Sequence, residues 1–303
     1  MKKNLTLLHM MLLCATTLKS QNFIEVIKLT HTVSSVNKFE DKASATSRIN
    51  ESNADLTIPL KLKGGNAMLT GITYERIHAR LFSDGTNKTV SSICLKLGAN
   101  IFLNERYSAT IVALPKLASD FSEQTPSNFQ IGIMAFVKRK MHDRFNYRYG
   151  FYYNQERFGP FLVPIFGLYY RSMSGKFETT LMLPIQADAS YEVAPHLRLG
   201  LYYNGQVRSY YFTDKNNYNR GMYLQKISNE LYSYARWQIT DKFSLVARVG
   251  QTFGRKFKVL DNNEKVSFGM PLLYIGDQRK QLNTNFNDGL LYQLGIVWRV
   301  SVK

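Results

Sequence analysis

Apolar and polar residues alternate with period two through most of this chain, and no other feature limits its fold so sharply. In 93–103 the odd positions read Ile93, Leu95, Leu97, Ala99, Ile101 and Leu103, facing Cys94, Lys96, Gly98, Asn100 and Phe102. In 145–154, Phe145, Tyr147, Tyr149, Phe151 and Tyr153 face Asn146, Arg148, Gly150, Tyr152 and Asn154. Segment 177–191 sets Phe177, Thr179, Leu181, Leu183, Ile185, Ala187, Ala189 and Tyr191 against Glu178, Thr180, Met182, Pro184, Gln186, Asp188 and Ser190. Segment 197–208 sets Leu197, Leu199, Leu201 and Tyr203 against Arg198, Gly200, Tyr202, Asn204, Gln206 and Arg208. The last segment uses the even register, with Leu290, Tyr292, Leu294, Ile296, Trp298 and Val300 facing Gln293, Gly295, Arg299 and Ser301. Successive side chains of a strand point to opposite faces, so these are strands with one apolar and one polar face. Weaker versions fill 23–33, 54–63, 67–82, 106–117, 128–138, 160–172, 222–239 and 242–256. Helical periodicity of comparable strength is absent, and the chain is expected to be all-β.

Strand length narrows the class. Globular strands run about five or six residues, whereas tilted membrane-spanning strands need about nine to eleven. Most of these segments run ten or longer. Tight connections at Gly64-Gly65-Asn66, Asn104-Glu105, 172–175 and Thr240-Asp241 mix with long polar ones at 83–89, 118–127, 210–220 and 258–285. The pattern predicts an antiparallel transmembrane β-barrel of roughly twelve strands, or fourteen if 23–33 and 265–275 also pair. In that count the Thr240-Asp241 turn falls on the rim of the long loops, so one strand between 175 and 240 is misplaced.

The N-terminus reads as an export signal. Lys2 and Lys3 precede the apolar run from Leu5 to Leu13, and Leu18-Lys19-Ser20 before Gln21 offers a cleavage site. The expected division is 1–20 signal peptide and 21–303 barrel domain. Lys+Arg number 39 against 22 Asp+Glu, a formal charge of +17; cleavage removes Lys2, Lys3 and Lys19 and no acid, leaving 36 minus 22, or +14. It also removes Cys14, and Cys94 alone forms no intramolecular disulfide even outside the cytosol. No later stretch reaches the ~18 uninterrupted apolar residues of a membrane helix.

Alternation alone does not say which face meets lipid. Export, strand length and the aromatic strand ends Tyr152-Tyr153, Tyr169-Tyr170, Tyr202-Tyr203 and Tyr210-Tyr211 favour a barrel with interfacial girdles. Gly98, Gly132, Gly150, Gly200, Gly250 and Gly295 fall in the polar register, as a crowded, curved inner wall prefers; Gly205 breaks that rule. Pro59, Pro115, Pro164 and Pro184 argue the other way, because a closed barrel offers proline no edge strand.

Backbone motifs add a resemblance. Arg148-Tyr149-Gly150-Phe151-Tyr152-Tyr153 is followed by Phe158-Gly159-Pro160, by Pro164-Ile165-Phe166-Gly167-Leu168-Tyr169-Tyr170, and by Gly175-Lys176-Phe177 leading to Leu183-Pro184-Ile185. Ile58-Pro59-Leu60-Lys61-Leu62 precedes Leu69-Thr70-Gly71, and Leu199-Gly200-Leu201 precedes Gly205. Together these resemble an uncharacterised family of outer-membrane β-barrel proteins with a domain of unknown function. The resemblance covers residues 23–303, implies the barrel fold, makes Pro59, Pro164 and Pro184 expected features, and carries over no catalytic or ligand residue. The chain departs from a common barrel habit by ending Val300-Ser301-Val302-Lys303 and not on an aromatic residue.

Chemical motifs are sparse. His31, His78, His142 and His196 are scattered, outside any G-x-S-x-G or metal spacing. Neither an enzyme nor a cofactor is expected. Arg and Tyr interleave at 144–148 and 208–211, but an exported chain has no nucleic acid to meet. The expected partners are outer-membrane lipid, whose anionic head groups suit Lys138-Arg139-Lys140, and the barrel assembly machinery. The polar register nominates as lumen-lining Lys96, Asn100, Arg148, Glu178, Gln186, Asp188, Arg198, Gln206, Arg208, Glu230, Arg236, Arg248 and Arg299. Both signs occur, so these groups can pair into a lattice that seals the interior; left unpaired, the surplus Arg would favour anions. The expected duty is small-solute transport or binding, or a structural one. Two other readings remain open. A secreted soluble β-sandwich binding module would bury Leu181, Leu183, Leu199 and Leu201. An outer-membrane lipid-modifying enzyme would need His78 or His196 beside a Ser and an acid.

Overall fold

The computed structural model describes residues 23–213 and 221–301; the signal peptide read at 1–20 and its cleavage site at Ser20/Gln21 lie outside them. The alternating segments form β1 (Phe23–Ser34), the short pair β2 (Asn37–Lys38) and β3 (Thr46–Ser47), β4 (Asn50–Lys61), β5 (Ala67–Arg80), β6 (Asn87–Phe102), β7 (Tyr107–Ser119), β8 (Phe129–His142), β9 (Phe145–Glu156) and β10 (Gly159–Arg171). The second half forms β11 (Phe177–Leu183), β12 (Gln186–Ala194), β13 (Leu197–Tyr211), β14 (Met222–Gln238), β15 (Phe243–Asp261), the short pair β16 (Phe268–Met270) and β17 (Leu273–Ile275), and β18 (Leu290–Ser301). Less β16 and β17, the sixteen-stranded sheet is a ring of fourteen, closed where β1 pairs with β18 and β10 with β11, all antiparallel. Closure pairs the backbone edges internally except above the short strands β11 and β12, and such internal pairing is the condition for crossing hydrocarbon in β-structure.

Of the two expected counts, roughly twelve and fourteen, the ring has fourteen, reached by a partly different route. Segment 23–33 joins the ring as β1, whereas 265–275 folds as the β16–β17 hairpin outside it. Segment 177–191 is two strands, β11 and β12, reversed at Leu183-Pro184-Ile185. Met182 pairs with Gln186 across that reversal. Both keep the even register, so the alternation runs through the turn unbroken and hides it. With this strand added, the connections 62–66, 103–106, 143–144, 172–176, 195–196 and 239–242 all lie on one rim. The opposite rim carries 35–49, 81–86, 120–128, 262–289 and the described ends 212–213 and 221 of the β13–β14 connection.

Leu183, Leu199 and Leu201 are 43%, 46% and 56% exposed, where a soluble sandwich would bury them. They belong to an outward apolar belt that also carries Ile131, Phe151, Phe166, Val249 and Leu294. At the tight-turn rim the Phe145 ring lies 4.7 Å from Tyr147 and 6.3 Å from Tyr170, and Phe243 stacks on Trp298 at 6.4 Å. This is an aromatic girdle that takes in Tyr170 of the predicted tyrosine pairs but not both members of each pair. Neighbouring residues of a strand point opposite ways, so Tyr152 and Tyr202 face the interior, and Tyr210 is fully buried. Gly200 and Gly250 make room on the inner wall: a Cβ there would stand 2.6 Å from Tyr234 Cζ and 2.5 Å from Tyr232 Cδ1. Of the prolines, Pro184 sits in the β11–β12 reversal and Pro164 just above the last β10–β11 pair, Phe166 with Leu183. Pro115 sits where β6–β7 pairing skips from Cys94–Lys116 to Leu97–Ala113.

Toward the long-loop rim the interior becomes an ordinary apolar core. Ile77, Leu81, Val90, Leu224, Phe257 and Val259 pack there against Phe39, Ile49 and Phe286 from the loops.

Candidate ligand chamber

Below that core the barrel is crossed by a plate of paired polar groups. The upper end of β13 keeps its pairing with β14 but has no ring neighbour on its β12 side, where Tyr211 bridges to Ser119 of β7. Arg208 Nη1 lies 3.1 Å from Glu75 Oε2 of β5, and the Tyr210 hydroxyl donates to the same oxygen at 2.8 Å. The Ser209 N–H donates to Glu156 Oε2 of β9 at 2.9 Å, and Gln130 Nε2 of β8 donates to Ser209 O at 3.0 Å. Lys226 of β14, wholly buried, lies 2.5 Å from Glu51 Oε2 and 3.9 Å from Glu75 Oε1. Lys116 meets Glu156 at 3.3 Å. Charges this buried persist only when paired and hydrogen-bonded, as these are.

Beneath the plate lies a cavity of about 1080 Å³. Seven residues nominated from the polar register line it: Lys96, Gln186, Gln206, Arg208, Glu230, Arg236 and Arg248. Lys96 bonds Asp55 and, at 2.8 Å, Thr57 Oγ1. Arg236 lies 2.8 Å from Glu25 Oε1, and Glu230 accepts from Tyr232 at 3.0 Å and Ser228 at 2.9 Å. Arg248 bonds Gln293 Oε1 and lies over the Tyr202 ring at 4.2 Å. The other six share the register but lie off the cavity wall. Asn100 donates to Thr110 Oγ1 at 2.7 Å, and Arg148 Nε to Asn146 Oδ1 at 3.3 Å. Asp188 accepts from Tyr234 at 2.6 Å. Arg198 lies 3.2 Å from Glu192 and 4.0 Å from Glu178. Arg299 Nε donates to Asp241 O at the tight-turn rim, 3.1 Å away.

Sequence reasoning missed Glu25, Glu51, Glu75, Lys116, Glu156 and Lys226. Lys226 shares the even register with Glu230 and Arg236, so the alternation of 222–239 contained it. Glu51 precedes the segment read at 54–63, and Glu156 follows that read at 145–154. The inner wall is also two-faced. Leu69, Val112, Leu114, Met134 and Phe136, from β5 to β8, make one side of the cavity apolar.

His31 Nδ1 lies 3.0 Å from Ser52 Oγ, and His78 Nδ1 lies 2.8 Å from Thr89 Oγ1, each between adjacent strands. Among the described residues no group of three or more His, Cys, Asp or Glu is arranged to hold a metal.

A family model described as "Domain of unknown function (DUF6268)" matches residues 16–297. The chain belongs to this family. No curated protein matches it. Among solved structures, this DUF6268 chain is similar to the COG4313 outer membrane channel from Pseudomonas putida F1, at 9% identity and TM-score 0.44, covering 94% of this chain and 97% of that one. It is also similar to the TodX monoaromatic hydrocarbon channel, at 7% identity and TM-score 0.39, covering 93% and 91%. The NanC porin is a third, at 7% identity and TM-score 0.38, covering 90% and 100%.

Proposed function

We propose that this protein is an integral outer-membrane β-barrel that holds a small molecule in a closed chamber and does not act as a standing open pore. The observation that carries the reading is the inversion of the faces, with leucines exposed around the outside and ion-paired residues within. Such an outer face is stable only against lipid, and the fourteen-stranded closure lets the backbone cross it. The polar plate and the apolar core above it occlude one end, which supports a chamber. Wide pores use about sixteen or more strands. Outer-membrane lipid is then the partner of the belt, and the barrel assembly machinery the partner that inserts it.

Fractionation without detergent and planar-bilayer recording test this together. The mature protein is expected in the membrane fraction, with conductance near baseline that rises when Arg208→Ala and Tyr210→Ala breach the plate. Recovery as a soluble periplasmic protein would overturn the membrane reading, and a large steady conductance of the wild type would overturn the chamber.

A further inference from the structure

Two neighbouring wall strands stop short. The last pairs of the β11–β12 hairpin are Phe166 with Leu183 on the β10 side and Gln186 with Asn204 on the β13 side. Beyond them, 159–165 of β10 and 205–211 of β13 have no ring strand between them. Each is met by one bridge, Phe161 to Gly269 of β16 and Tyr211 to Ser119 of β7. The notch is about seven residues tall, roughly 23 Å at 3.3 Å per residue.

Register shows what the notch connects. Apart from Ser52 of β4, the outward-register residues that line the cavity gather here, among them Pro164, Gly205, Val207 and Asn229 of β10, β13 and β14. Where no strand stands between β10 and β13, this lining reaches the wall's outer register. Its lip is apolar, with Pro184 and Ile185 beside Pro164 and Val207, next to the belt residues Phe166 and Leu183. The β16–β17 hairpin fills the notch. Its tip, Met270-Pro271-Leu272-Leu273, lines the same cavity, and Leu272 is fully exposed. Tyr274 holds the hairpin at 6.4 Å from Phe161 and 5.9 Å from Phe158, and Arg279 Nη1 donates to Gln225 Oε1 at 3.1 Å.

Inside, one cation stands apart. Among the described residues, Arg248 is the basic residue of the cavity wall with no carboxylate partner, and its Nε has no acceptor. The apolar wall from β5 to β8 continues into Val163 and Pro164 at the lip. We propose that the notch between β10 and β13 is a lateral portal, stoppered by the β16–β17 hairpin, through which a single-chain amphipathic anion passes between membrane and chamber. Its acidic head goes to Arg248 and its chain lies along the apolar wall. This assignment rests on the closed-chamber reading.

The test staples the stopper. Phe161→Cys and Gly269→Cys, in a Cys94→Ser background, join paired positions whose spacing suits a disulfide. The mature protein in phospholipid vesicles is offered a pyrene-labelled long-chain carboxylate, the matching alkyl phosphate, and the uncharged methyl ester. The reduced protein is expected to load the acidic probes, the oxidised protein to load them at least tenfold more slowly, and reductant to restore the rate. Arg248→Met should weaken the acidic probes at least tenfold and leave the ester unchanged; whichever acidic probe loads better identifies the head group. Leu272→Asp, at an exposed position, should slow loading several-fold without the staple. Equal rates in the oxidised and reduced protein, or in Leu272→Asp and its parent, would overturn the portal. Vesicle co-flotation is read in parallel: if it fails, the membrane reading fails; if it holds while loading ignores the staple, only the portal does.

Discussion

Lys226→Met is the sharpest test of the polar plate. The wholly buried ammonium lies 2.5 Å from Glu51 and 3.9 Å from Glu75. Without it Glu75 retains Arg208 at 3.1 Å and the Tyr210 hydroxyl at 2.8 Å. Glu51 is left with no salt bridge among the described residues, only the more distant charge of Arg255. Methionine preserves most of the stem, so the loss is electrostatic, and breaking one side of a buried pair costs about 3–5 kcal/mol. With a urea slope of about 3 kcal/mol per molar, the unfolding midpoint falls by about 1–1.7 M. Lys256→Met, at an exposed site on the outer face of β15, should change stability by no more than about 0.5 kcal/mol. Adding Glu51→Gln to Lys226→Met removes the stranded carboxylate and should return about 2 kcal/mol as a coupling energy. The assay is urea unfolding of vesicle-inserted protein, followed by the fluorescence of Trp237 and Trp298. If Lys226→Met is no worse than Lys256→Met, or if the double variant is simply additive, the plate is not held by paired charge.

Two further predictions probe the outer face and the hairpin. Leu201→Arg, at a belt position 56% exposed, should cost about 2–4 kcal/mol in vesicles, measured by the same unfolding. In the loop after β17, Arg279 lies 2.8 Å from Asp277, and its hydrogen bond holds that carboxyl below its ordinary 3.8. The folded value lies below the unfolded one, so this contribution is whole above about pH 4 and fades as pH falls through the folded value. Proteolysis of the 262–289 loop should therefore accelerate in acid for the wild type and show no such pH dependence in Asp277→Asn.

Much of this architecture was written in the period of the sequence. Alternation depends only on neighbours, so Leu197, Leu199 and Leu201 declared their face without any knowledge of the partner strand, and Arg236 and Arg248 theirs. The β11–β12 reversal escaped the same logic because Met182 and Gln186 share a register, which a period-two signal reads as continuity. The aromatic girdle was legible as composition but not as position, since Tyr152 and Tyr202 point inward.

What the sequence determined by itself is a chain of long two-faced strands, with charge on one face and hydrocarbon on the other. The tertiary structure alone decided what those faces enclose. Whether Glu75 meets Arg208, more than a hundred residues away, depends on β13 reaching across the ring. That reach exists because β11 and β12 are too short to hold the wall above them. The same shortness leaves a notch that the β16–β17 hairpin fills, and it unites Ile77, Leu224 and Phe257 into a core over the chamber. Side-chain direction is a local property of the backbone and can be read from spacing. Occlusion is a property of ring closure, of which strand ends fall short and which cross, and no local period records it.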